Sequence, residues 1–199
     1  ALWLTPQVSW ENNDNTYYLM DSTVYEVNGG KVINIIQRSH VFNDPKISDQ
    51  TGNWSFIDNG NTWFIKTLNK IHVVNKRNMK VKEILSWDNF IDNIPNDWRI
   101  NGFNAGIILN DKLVLFSNNA VLIAEKRNNK FVFKRQAEAK QFIPNWPFSW
   151  GKSNVAGVNY QNNSQEINLY RNREYLKLDK QLNIIQEPLK LNVKWVNNP

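Results

Sequence analysis

Short runs of alternating apolar and polar residues dominate this chain, and clusters of Asn, Asp, Gly and Lys separate them. Alternation with period two predicts half-buried β-strands, and the polar clusters predict tight turns, because Asn, Asp and Gly accept positive φ. The runs recur. Residues 8–19 and 54–65 align without a gap, sharing apolar, Ser, aromatic, any, Asn/Asp, Asn, any, Asn, Thr, aromatic, aromatic, aliphatic. Two more divergent copies begin at Asn104 and Val155, so the unit repeats about every 46 to 51 residues.

Each unit reads as four strands. The second strands are predicted at Tyr17–Met20, Trp63–Lys66, Leu113–Phe116 and Ile167–Tyr170, and the third at Val24–Val27, Ile71–Val74, Val121–Ala124 and Tyr175–Leu178. The fourth fall at Val32–Ile36, Val81–Leu85, Phe131–Lys134 and Leu182–Ile185. Helical periodicity is confined to short stretches such as 86–93 and 137–142. A four-stranded unit recurring at this period without crossover helices predicts an all-β chain, a four-bladed β-propeller built from four repeats of about 50 residues. The expected blades are residues 7–42, 53–91, 103–142 and 153–196 of a single unit spanning 1–199.

Four blades close as steep wedges, so the innermost strands should carry small side chains at the axis. The aligned positions are Ser9, Ser55, Ala105 and Ala156. Aromatics at repeat-equivalent positions, Trp10 with Phe56 and Tyr17 with Trp63, are expected to fill the spaces between blades. The linkers recur as an aromatic or aliphatic anchor followed by Pro: Phe42 with Pro45, Trp87 and Phe90 with Pro95, and Phe142 with Pro144 and Pro147.

Small residues opening each inner strand, an aromatic second strand and the aromatic-Pro linker resemble the hemopexin-like repeat. The resemblance covers essentially the whole chain, although the family's Asp-Ala-Ala opening survives only as Asn104-Ala105-Gly106 and Val155-Ala156-Gly157. It implies a four-bladed propeller with an axial tunnel in which backbone carbonyls of Ser9, Ser55, Ala105 and Ala156 could hold a structural Ca2+ or Na+. The family's usual disulfide is impossible without cysteine, so ring closure is expected from Trp3 and Leu4 packing against residues 193–196. Haem is not expected, since His40 and His72 are the only histidines and lie on linker or outer-strand positions.

Composition narrows the chemistry. Nine Trp accompany an Asn content of about a sixth of the chain. The absence of cysteine removes thiolate metal sites and cysteine nucleophiles, and no apolar run reaches the ~18 residues of a membrane span. Twenty-four Lys+Arg against 18 Asp+Glu give a formal charge of +6, which favours acidic partners. Two strand-connecting turns carry a Lys-Arg pair, Lys76-Arg77 and Lys126-Arg127, and the linker 142–150 adds Trp146, Phe148 and Trp150. These residues are the expected partner-binding set, and no nucleic-acid motif accompanies them. Asp88, Asp92 and Asp97 are close in sequence, but their neighbours are Asn and linker aromatics and nothing in the pattern fixes their geometry for catalysis.

The reading is a non-enzymatic module engaging a protein or acidic glycan through a propeller rim. A lectin-like propeller is the alternative, and a small propeller hydrolase is less favoured. A secreted or cell-surface location is expected, because an Ala at position 1 suggests processing or a trimmed chain; zero cysteine is also compatible with the cytoplasm. The sequons at Asn53 and Asn162 carry no weight in a chain this rich in Asn.

Overall fold

Asparagine closes the turns that the polar clusters announce. Asn13, Asn110, Asn128 and Asn172 take left-handed backbone with φ of 57°, 56°, 57° and 54° in turns between strands, a conformation that Asn tolerates better than bulkier residues do. The computed structural model describes residues 5–161 and 163–195. Between these turns run four antiparallel units of four strands.

The first unit is β1 (Val8–Asn12), β2 (Asn15–Met20), β3 (Thr23–Asn28) and β4 (Lys31–Gln37). The second is β5 (Ser55–Asp58), β6 (Thr62–Lys66), β7 (Ile71–Asn75) and β8 (Val81–Leu85), followed by the two-residue β9 (Ile91–Asp92). The third comprises β10 (Ala105–Leu109), β11 (Lys112–Phe116), β12 (Val121–Arg127) and β13 (Lys130–Ala137), and the fourth β14 (Gly157–Gln161), β15 (Glu166–Arg171), β16 (Glu174–Leu178) and β17 (Ile184–Lys190). Every predicted second, third and fourth strand is present within a few residues. Leu182, expected to open the last strand, instead sits in the preceding turn with φ 65°.

The inner strands pair across units. β1 runs parallel to β14 and β5 parallel to β10, which fuses the fourth unit to the first and the second to the third as sheets of eight and nine strands. β14 also lies against β5 and β10. The arrangement is all-β and propeller-like. Because strands alternate in direction, all inner strands begin at one end of the axis, here the entry end, and finish at the other, the exit end. Turns between second and third strands therefore lie at the entry end, and those between first and second or third and fourth strands at the exit end.

Linker residues fill the seams between units. Short helices α1 (Arg38–Val41) and α2 (Pro45–Ser48) carry Phe42 and Ile47 inward, and Phe42 meets Trp54 at 5.4 Å and Trp10 at 5.8 Å between ring centroids. The Arg38 guanidinium lies 4.0 Å from the Trp54 ring centroid and donates to the carbonyls of Gly52 and Gln50 at 2.9 and 3.2 Å. α2 is fixed by Asp44, whose carboxylate accepts from the N–H of Lys46 at 3.1 Å and of Val81 in β8 at 2.9 Å. Between the second and third units, α3 (Trp87–Phe90) and α4 (Asn96–Asn101) bury Phe90 and Trp98, and β9 pairs with β13. Sequence periodicity did not predict α4. Between the third and fourth units, Ala139, Ile143 and Trp150 are fully buried.

The chain returns on the first unit at its end. The Lys194 N–H donates to the Gly30 carbonyl at 2.8 Å, and Trp195 meets Tyr18 and Tyr25 at 5.5 Å each. Val193 and Trp195 pack on the first unit through Tyr18 and Tyr25; the expected partners Trp3 and Leu4, with Val196, lie outside the described residues.

Candidate functional site

The register corrects one expectation at the axis. Val8 pairs with Val158, and Ala105 pairs with Phe56 rather than Ser55. Ser9 and Ala156 are therefore three residues apart along paired strands, roughly 10 Å at a strand's rise, and the four aligned small residues do not share a level. In the second unit the turn after β5 accounts for the displacement of Ser55. Asp58 accepts from the Gly60 N–H at 2.9 Å and Asn59 from the Thr62 N–H at 2.7 Å, a longer turn than the two residues between β1 and β2. The gapless alignment conceals this difference, and Phe56 takes the place of Val8. The carbonyls of Ser9, Ser55, Ala105 and Ala156, which the resemblance offers to a structural Ca2+ or Na+, are therefore spread over more than one level of the axis. Among the described residues no three His, Cys, Asp or Glu side chains gather as a metal-binding group.

The four residues have separate roles. Ser9 is fully buried and its Oγ lies 2.5 Å from the Tyr170 Oη, a phenol that burial keeps protonated far above its usual range. Ala105 is fully buried in the core. Ser55 and Ala156 line a cup of about 710 Å³ at the entry end, with Gln7, Asn53, Asn104 and Asn154 contributing amides from all four repeats and their linkers. Closeness of the strands below the cup shows at Gly157, where an added Cβ would stand 1.9 Å from the Pro6 carbonyl oxygen.

At the exit end an ion pair within the second unit is hydrogen-bonded to the inner strand of the fourth. Asp58 is fully buried, with Oδ1 2.6 Å from the Lys76 ammonium and Oδ2 accepting from the Tyr160 N–H at 2.9 Å. Lys76 also donates to the Tyr160 carbonyl at 3.3 Å and sits 5.2 Å from the Trp63 ring centroid. This placement removes Lys76 from the partner-binding set, because its charge is spent tying the second unit to the inner strand of the fourth.

The rest of the basic set is available. Arg77, Lys126 and Arg127 are exposed, and among the described residues none of them forms an ion pair. Arg77 lies in the turn after β7, whereas Lys126 and Arg127, expected in a turn, close strand β12; the aligned backbone contacts persist, the N–H of Lys76 donating to the Asn61 carbonyl at 3.1 Å and that of Lys126 to the Asp111 carbonyl at 2.7 Å, each reaching the neighbouring first-to-second-strand turn. The basic residues therefore project from the exit-end rim of adjacent units. The aromatic linker divides. Trp150 is fully buried and seals a seam, Trp146 is half-buried against it at 5.7 Å, and Phe148 is fully exposed. Trp150 is thus a plug and unavailable as a contact residue.

The carboxylates considered for acid-base chemistry are engaged or isolated. Asp88 pairs with Arg99 and Asp92 with Lys130 at 2.8 Å, both at the surface. His40 is exposed, whereas His72 is buried and burial lowers its pKa, which keeps it neutral near pH 7.

No family model and no curated protein matches this sequence. Solved structures do. A 2S albumin seed protein from Dolichos is similar with a TM-score of 0.63 at 10% identity over 94% of each chain. The hemopexin-fold protein CP4 from cow pea gives 0.62 at 8% identity, over 96% of this chain and 94% of that one. A plant albumin from Cicer arietinum showing hemagglutination gives 0.60 at 14% identity, over 94% and 93%. At such identities the likeness is one of architecture: this chain has a propeller-like fold of the hemopexin type.

Proposed function

We propose that the chain is a non-enzymatic binding module that takes an acidic partner, a protein or an acidic glycan, on its exit-end rim. The observation that carries this reading is the set Arg77, Lys126 and Arg127, exposed and without an ion pair among the described residues, Arg77 in the turn after β7 and the other two at the end of β12 in the neighbouring unit. Cations held at a rim without internal counter-ions steer and retain an anionic surface, in a manner that weakens with salt. The net charge of +6 acts in the same direction. Engagement of Asp88 and Asp92 by basic neighbours supports the non-enzymatic side of the reading.

The test is binding to heparin and to poly-glutamate at low and at physiological salt. Arg77→Ala/Lys126→Ala/Arg127→Ala is expected to lose about tenfold or more in affinity at physiological salt, each rim contact contributing up to ~1 kcal/mol. Unchanged affinity in that variant would refute the rim. A carbohydrate-binding role is the second reading, supported by a groove between the second and third units lined by Phe64, Ile108, Asn89, Asn110 and Asn129, and by the hemagglutination recorded for the similar Cicer albumin.

A further inference from the structure

A groove of about 710 Å³ opens beside the rim between the second and third units. Its floor is apolar: Phe64, Leu85 and Ile108 are half-buried, and behind them Phe90 meets Phe64 at 5.5 Å and Phe131 at 5.6 Å. Around this floor stand the exposed amides of Asn89, Asn110 and Asn129, from three separate segments. Among the described residues none of these three amide groups is engaged by a protein hydrogen bond. Lys126 of the rim set reaches the same groove, and Glu83 contributes the one carboxylate of its lining.

We propose that this groove seats one ring of an acidic polysaccharide of the uronate type. A pyranose presents an apolar C–H face and equatorial hydroxyls. The aromatic-aliphatic floor takes the first, and free amides, each both donor and acceptor, take the second. The ring carboxylate pairs with Lys126. Glu83 disfavours a ligand carrying several anionic groups per ring, so a uronate with one acid group fits better than a densely sulfated sugar. The inference rests on the rim reading, since the remaining uronates of the chain lie along Arg127 and Arg77.

The test compares oligogalacturonate with inorganic polyphosphate, which carries charge but no sugar ring. The double variant Asn89→Ala/Asn129→Ala alters only exposed side chains. It is expected to bind oligogalacturonate about tenfold more weakly than the parent protein, through loss of two or more hydrogen bonds, and polyphosphate equally well. Equal oligogalacturonate affinity in parent and double variant would overturn the groove. So would binding of polyphosphate without oligogalacturonate, which leaves the rim standing. Binding of neither polymer overturns both readings.

Discussion

Ser55 and Ala105 occupy aligned sequence positions yet stand in different surroundings. Ala105 is fully buried between Phe56 and Phe116 on the paired strands, whereas Ser55 borders the open cup. Ala105→Leu should therefore overpack the core and cost ~1–3 kcal/mol, while Ser55→Leu should stay within ~0.5 kcal/mol, its side chain entering the cup. Thermal melts of both variants would check this, and equal losses would contradict the register. Residue roles of this kind were the least legible in the sequence. Lys76 turns inward onto Asp58 and the carbonyl of Tyr160, the latter 84 residues away, and no local pattern announces either partner. Phe148 and Trp150 share one short 3-10 turn, yet one is fully exposed and the other fully buried; composition treats them alike.

At the level of elements, the strands were readable because period-two alternation reports which face is buried, and the turns because Asn and Asp mark left-handed backbone. Turn length was not readable. The side-chain hydrogen bonds of Asp58 and Asn59 lengthen one turn without disturbing the composition that a repeat alignment scores. Of the linker helices, α3 falls in the stretch 86–93 where helical periodicity is expected, but α4 escaped: it spans only Asn96–Asn101 and buries a single Trp, which is too little periodicity to detect. The cap of α2 offers a quantitative test. Hydrogen bonds from the Val81 and Lys46 N–H groups hold the Asp44 carboxyl below its ordinary pKa of 3.8. A depressed folded-state pKa adds stability that is present above the unfolded value and lost as pH falls through the folded one. Asp44→Ala should cost ~1–2 kcal/mol at pH 7, with the gap to the parent protein closing on acidification below pH ~4. Denaturant melts across this range would reveal it, and a gap independent of pH would argue against the carboxylate.

For the whole molecule, closure concentrates on the seam between the fourth and first units. No disulfide joins the ends, and Trp195 packs against Tyr18 and Tyr25 where a covalent link is absent. Trp195→Ala should remove ~3–5 kcal/mol and, by releasing the returning segment, raise hydrogen exchange first in β2 and β3, which carry Tyr18 and Tyr25. Exchange that rises evenly over all four units would instead indicate a single cooperative ring. The two fused sheets favour the local outcome, because the β1–β14 pairing belongs to one sheet and β5–β10 to the other.

Turns built from asparagine also give the molecule a chemical clock. Deamidation is favoured where Asn precedes Gly, as at Asn28-Gly29, Asn59-Gly60 and Asn101-Gly102, and Asn is among the residues that heat damages most readily. Each event replaces a neutral amide with a carboxylate, so six of them would take the formal charge from +6 to zero. Ageing would then erode attraction for anions through the same residues that shape the fold.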